Sequence, residues 1–286
     1  MRTDKTYGAY LHLDQLLSAQ HPVSRPVHHD ELLFIVQHQT SELWLKLVLH
    51  ELDFVRDRLA DDQIRPALKG LARVKHIQRT LTDQWSVLAT LTPSEYAEFR
   101  RFLGTSSGLQ SFQYRVMEFA LGNRDATMLE LFADDPPAYS MLTTELKRPT
   151  VYDEFLRHLA RQGHAVPAEL LSRDVRQPHT FHSGLVPVFR RIYEHTRDFW
   201  AAYETCEELV DLEENVQLWR FRHLKTVERT IGTARGTGGT SGVGFLRAAL
   251  DISFFPELYA VRTEIAPVAP PTGTNIPSPT REPMPD

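Results

Sequence analysis

Two stretches without proline or glycine, Asp30 to Leu59 and Tyr193 to Ile231, constrain this chain more than any other feature. Proline removes a backbone donor and clashes with the preceding turn, while glycine loses most conformational freedom on ordering, so long stretches free of both favour helix. In the first stretch Phe34, His38, Glu42, Leu45, Leu49 and Leu52 recur by threes and fours, the period of one helix face. The pattern predicts one long amphipathic helix with Asp30 as its cap. The second stretch predicts one long helix or two consecutive ones, with Val216, Trp219, His223, Val227 and Ile231 along one face. Leu218, Phe221 and Leu224 make other sides apolar, so this helix is expected to be buried.

Thr92, Pro93 and Glu95 combine a capping hydroxyl, a first-turn proline and a capping-box glutamate, which starts a helix expected to reach about Leu103. The run GTSSG from Gly104 to Gly108 interrupts the pattern, and a further helix carrying SFQYRVMEFAL should end near Gly122. Alternating strand patterns and fixed-period repeats are missing, so the fold class is read as all-α. One large helical domain is expected over residues 30–263, preceded by a separate N-terminal segment, residues 1–29. Residues 264–286 are proline-rich with few large apolar side chains, and a disordered tail is expected there.

With 286 residues, 42% of them hydrophobic, the chain can bury a sizeable core. Its net charge of -5 is spread along the sequence with no run of five like charges, which argues against nucleic acid as a partner. No segment approaches membrane-spanning length, and the N-terminus lacks a signal-peptide core. Cys206 is alone and cannot form an internal disulfide; it reads as inert packing, and the cytoplasm is the expected compartment, with no membrane partner.

Thirteen histidines invite a metal reading, yet no His-Glu-x-x-His or Glu-x-x-His pair occurs, and His28 and His29 lie in a proline-flanked loop. His38 and His223 remain, each on an apolar helix face. A haem iron needs only one such imidazole. Spacing alone favours the plainer alternative, a core histidine bonded to a backbone carbonyl. The run from Arg235 to Gly242 matches neither phosphate-binding glycine motif; it offers flexible backbone and the hydroxyls of Thr237, Thr240 and Ser241, either as a lid over a small polar ligand or as a plain linker. Tyr96 and Arg100 stand one turn apart on the capped helix. That arginine suits a carboxylate ligand, or equally a surface ion pair with Glu95 or Glu98.

The segments YGAYLHLDQLL, HDELLFIVQHQTSELWLKLVLHEL, SSGLQSFQYRVMEF, WRFRHLKTVERTIG and GTGGTSGVGFLRAALD together resemble the tryptophan 2,3-dioxygenases, from about Tyr7 to Arg262. The resemblance implies a helical haem dioxygenase fold with one b-type haem per subunit, its iron ligated by His223. It also implies a homotetramer built as a dimer of dimers, and conversion of L-tryptophan and O2 to N-formyl-L-kynurenine, the entry to the kynurenine route. By matching segments, His38 is the catalytic distal histidine near the indole N–H. It positions the substrate more than it deprotonates it, because so weak an acid yields its proton poorly to an imidazole. Phe34 packs on the indole ring, Arg100 grips the carboxylate, Tyr96 lines the pocket, and Thr237 contacts the amino-acid end. Tyr7 and Tyr10 match residues that the N-terminal segment lends to a neighbouring subunit's pocket. Trp85 and Ser107 match pocket positions expected to bind the cofactor, with ordinary core the alternative for Trp85 and a hydroxyl contact to haem or to substrate both open for Ser107.

The chain departs from the family pattern at Leu109, where phenylalanine usually follows Ser-Gly, and in its C-terminal tail. The related indoleamine 2,3-dioxygenases lack such a distal histidine, so His38 favours the tryptophan-specific branch. Two other functions fit a helical chain of this kind: a non-catalytic haem or tryptophan sensor, and an oxygenase for a substituted tryptophan.

Overall fold

The computed structural model describes residues 6–234, 236–238 and 242–265. Arg235, Gly239, Thr240, Ser241 and the proline-rich residues 266–286 lie outside the described residues, so the expectations of a tail and of two loop hydroxyls fall outside them too. No strand occurs among the described residues. The helices run α1 (Tyr7–Leu11), α2 (Leu13–Leu16), α3 (Glu31–Ala60), α4 (Ile64–Asp83), α5 (Trp85–Leu88), α6 (Pro93–Arg100) and α7 (Phe112–Leu121). They continue as α8 (Pro136–Leu146), α9 (Val151–Arg161), α10 (Ala168–Leu171), α11 (Val186–Glu194), α12 (Trp200–Ile231), α13 (Val243–Ala248) and α14 (Pro256–Ala260).

The frame is set by α3, α4 and α12. Val48, Leu52, Val55 and Leu59 of α3, Leu71 and Val74 of α4, and Leu209, Leu212 and Val216 of α12 are buried in one cluster. Each such side chain removed from water contributes about 1.5–3 kcal/mol, which is where helices of this length gain most of their stability. Gly70 lets α3 and α4 approach: a Cβ there would come within 2.7 Å of Val55 Cγ2. Cys206 is fully buried and its thiol is pushed well above its usual pKa by that burial, in keeping with inert packing.

The first long helix spans the expected residues, but its start is built differently. Asp30 occupies the capping position without any side-chain cap bond. The buried Glu31 instead turns back and accepts from the backbone N–H groups of Val23 at 2.6 Å and Ser24 at 3.0 Å, and from the Ser24 hydroxyl. The second long stretch holds the last two residues of α11, a break at His195–Phe199, and then one long helix, α12, over Trp200–Ile231. Phe199 leaves the helical path to pack on the His164 ring at 4.8 Å and beneath the Arg191 guanidinium at 5.2 Å. Within α12 Leu224 is buried as expected, whereas Leu218 and Phe221 are 48% and 45% exposed. Their side of the helix faces away from α4 and opens on a surface groove continued by Leu250, Pro256 and Tyr259.

The capping box at Thr92 forms in full, with Thr92 Oγ1 accepting from the Glu95 N–H and Glu95 accepting from the Thr92 N–H. The α-helix it starts ends at Arg100, and single turns carry the chain on to Leu103. A short 3₁₀ turn at Gly108–Gln110 precedes α7, which stops at Gly122 with φ +123°. Before α3, helices α1 and α2 bury none of their residues, and Tyr7 and Tyr10 are exposed. No helix among the described residues is long and apolar enough to cross a membrane.

Candidate functional site

His38 and His223 come from different long helices and lie close together beside one aromatic cluster formed by α3, α5, α6 and α12, which lines the candidate cleft. On the α3 side the Phe34 and His38 rings lie 4.2 Å apart, as expected one turn apart on a helix. Phe34 continues the contact to Tyr96 at 5.9 Å and to the buried Phe99 at 5.7 Å, both on α6. His38 Nδ1 donates to the Phe34 carbonyl at 2.7 Å, which puts the ring proton on Nδ1 and leaves Nε2 an acceptor. Burial lowers the His38 pKa, outweighing the opposing pull of the Phe34 carbonyl and the Glu42 charge. The ring is therefore neutral at pH 7.

Arg100 closes this side. Its guanidinium lies 6.0 Å from the Tyr96 ring centroid and donates to the Tyr96 hydroxyl. The two carboxylates that could have drawn it to the surface have other partners: Glu95 belongs to the capping box and Glu98 pairs with His28 at 2.8 Å. Next to this wall, Thr237 Oγ1 donates to the Ser106 carbonyl. Gly238 sits so close to Ser107 that a Cβ would come within 2.6 Å of its hydroxyl oxygen. Glycine at 238 is thus required by the approach of the glycine run to the Ser106–Ser107 turn.

The α12 side consists of rings. Trp85 stacks on His223 at 4.7 Å with planes 11° apart, and Trp219 packs against both, 5.5 Å from Trp85 and 5.2 Å from His223. Tyr114 of α7 stacks on Trp219 from behind at 4.9 Å. Desolvation lowers the His223 pKa to about 4, with smaller contributions from the charges of His38 and Arg115. His223 has no hydrogen-bond partner among the described residues, and stacking occupies only its face, so the in-plane nitrogen lone pair stays available. Among the described residues the buried indole N–H groups of Trp85 and Trp219 also lack a partner.

Six of the ten side chains singled out from the sequence thus fall into one region, Phe34, His38, Tyr96 and Arg100 on one side and Trp85 and His223 on the other, while Ser107 and Thr237 lie at the Ser106–Ser107 turn where the glycine run meets it. Tyr7 and Tyr10 do not join them within the chain, being 76% and 69% exposed on α1. Trp219, Phe99 and Tyr114 were missed as walls of the cleft. Trp219 was recoverable, since it precedes His223 by one turn on the same apolar stripe; Tyr114 reaches the cleft only through tertiary packing.

The sequence model of the tryptophan 2,3-dioxygenase family matches residues 1–166 and 168–265. A tryptophan 2,3-dioxygenase of Kineococcus radiotolerans is 70% identical over 92% of this chain and 92% of its own length. That of Saccharopolyspora erythraea is 68% identical over 93% of this chain and 94% of its own. At greater distance, that of Serratia proteamaculans is 56% identical over 91% and 93%.

Proposed function

Because this chain belongs to the tryptophan 2,3-dioxygenase family, we propose that its aromatic cleft holds one b-type haem through His223 and presents L-tryptophan to it between His38 and Arg100. The enzyme uses O2 to cleave the indole C2–C3 bond of L-tryptophan, giving N-formyl-L-kynurenine. The observation that carries the site assignment is the pair of neutral imidazoles on facing helices, one with its Nδ1 proton committed to a carbonyl and one with no hydrogen-bond partner among the described residues.

The donor set suits a haem. Among the described residues no three His, Cys, Asp or Glu side chains converge as a metal-binding group, so an iron at His223 needs a group that brings most of its own ligands. His223 is already neutral, as ligation requires. The indole N–H of Trp85, stacked beside it and without a partner among the described residues, would be a buried donor for a polar group of the haem. When bound, the haem supplies the iron at which O2 is activated.

The chain's own contribution is orientation. Arg100 takes the substrate carboxylate in a two-pronged contact, which fixes both its position and its rotation. Phe34 and Tyr96 supply apolar walls for the indole ring. His38 Nε2, left an acceptor by the Phe34 carbonyl, receives the indole N–H and holds it without removing the proton. Thr237 adds a hydroxyl at the amino-acid end and Ser107 lies beside it. Holding the reacting bond in one geometry removes several kcal/mol of ordering from the barrier, about 7–11 kcal/mol in the best cases.

The exposed Tyr7 and Tyr10, on helices that bury nothing at home, support an N-terminal segment that completes a neighbouring subunit's pocket in a homotetramer, a dimer of dimers. The single buried cysteine agrees with a cytoplasmic enzyme. The test is turnover by the haem-loaded, reduced protein: one O2 consumed per L-tryptophan and one N-formyl-L-kynurenine formed. Stoichiometric haem with tryptophan left intact would overturn the reading.

A further inference from the structure

Arg220 lies on α12 one turn before His223 and is 3% exposed. Its guanidinium is engaged on every edge. Nη2 donates to Glu118 Oε1 at 2.8 Å, Nε to the Tyr114 hydroxyl at 3.3 Å, and Nη1 to the carbonyls of Ala249 at 2.9 Å and Ile252 at 3.5 Å. Its face lies 5.2 Å from the Phe254 centroid. Tyr114 and Glu118 belong to α7, whereas Ala249 and Ile252 follow α13, the helix that leads away from the glycine run. One side chain therefore ties α7, α12 and the exit of α13 together beside His223.

The cluster is an unusual choice if stability were its only product. Glu118, itself 3% exposed, also accepts from Arg115, so two buried guanidinium groups share one carboxylate. Removing such charges from water costs several kcal/mol per ion, and an apolar cluster of equal volume is often as stable. What the ions provide instead is directional geometry. The route onward is short: Tyr114 accepts from Arg220, stacks on Trp219, and Trp219 packs on His223.

We propose that Arg220 is a positioning residue for His223: its planar fork fixes the rotation of α12 against α7 and the α13 exit, and Tyr114 and Trp219 carry that register to the imidazole. In this role Arg220 acts through Tyr114 and Trp219 and not by a contact of its own with the substrate or the haem. The inference rests on His223 being the haem ligand. Lysine at this position keeps the charge and part of the bonding but loses the fork.

The test is the iron–histidine stretching band of the reduced, haem-loaded protein, read by resonance Raman, together with the rate of haem loss to a scavenging apoprotein. Four proteins are compared: wild type, Arg220→Lys, Glu118→Gln and Arg56→Lys. Arg56 is a control of similar burial, held by two bonds to Glu145 between α3 and α8 and sharing none of these contacts. Arg220→Lys is expected to shift or broaden the band and speed haem loss by about 10-fold or more, the range found when outer partners of metal ligands are removed. Glu118→Gln, which leaves the two carbonyl bonds, is expected to do the same to a smaller extent and decides the matter if Arg220→Lys does not fold. Arg56→Lys should lower the melting temperature with the band unmoved. Bands identical to wild type in both cluster variants, or an equal shift in Arg56→Lys, would overturn the inference. A wild-type protein with no iron–histidine band would remove its premise, and so is distinguishable from failure of the inference alone.

Discussion

The two sides of the cleft are built to different standards. The His38 side rests partly on α6, eight residues long, started by a capping box and carrying the half-buried Tyr96 and Arg100. Among the described residues, Thr237 and Gly238 of the glycine run meet the Ser106–Ser107 turn that follows α6, through a hydroxyl bond and a close glycine contact. The His223 side rests on a helix of 32 residues, backed by three stacked or tilted rings and an ion cluster that is almost wholly buried. A ligand exchanged at every turnover belongs on the looser side, and one held permanently on the packed side. The contrast separates residues that set substrate affinity and orientation from residues that set retention of the prosthetic group.

That division can be broken first at its strongest point. His223→Ala should abolish turnover and leave a haem-to-protein ratio near zero after gel filtration, while the circular dichroism stays helical. Retention of haem would move the ligand elsewhere. On the other side, Arg100→Ala should keep the haem and lower kcat/KM for tryptophan by about 10²-fold, since a charged hydrogen-bonding contact is worth roughly 1.5–3 kcal/mol. Equal damage to haem retention would erase the distinction between the sides.

His38→Ala should reduce kcat by about 10-fold, short of the 10²–10⁴-fold typical when a general base is removed. The pH profile sharpens the point. A histidine whose pKa is lowered keeps its neutral form to more acid pH than usual, so Nε2 remains an acceptor below 6.5. Accordingly kcat/KM should stay level from about pH 8 through 6.5 and fall only at more acid values, with that acid limb changed in His38→Ala. A limb beginning above 6.5 would contradict a desolvated His38. The smallest effect is expected at Thr92→Ala, which removes one cap bond at a cost of about 1 kcal/mol and should raise the KM for tryptophan a few-fold through α6, with haem content unchanged.

Much of this was legible in the sequence because it is local. The span of α3, the capping box at Thr92 and the stop at Gly122 follow from period, cap chemistry and backbone freedom, which act within a few residues. Asp30 has helical backbone angles and makes no cap bond, while the neighbouring Glu31 takes the backbone N–H and hydroxyl of Ser24, seven residues earlier. Where the helix breaks between α11 and α12 was left open, because Phe199 answers to contacts with His164 and Arg191 that the period of the stretch does not encode. Leu218 and Phe221 show that an apolar helix side does not have to be covered within its own chain. At the cleft, periodicity could offer His223 only an apolar stripe; the specific segments around His38, Arg100 and Thr237 were needed to single it out. Tyr114, Glu118 and Arg220 meet across more than a hundred residues of sequence, and no local pattern announces such a cluster.

The most direct measurement is a side-by-side absorption spectrum of wild type, His223→Ala and His38→Ala after identical haem loading and gel filtration. Wild type and His38→Ala should both carry one histidine-ligated haem per chain, and His223→Ala should carry none. A His38→Ala protein that loses its haem while His223→Ala retains a wild-type spectrum would contradict the assignment of the two sides.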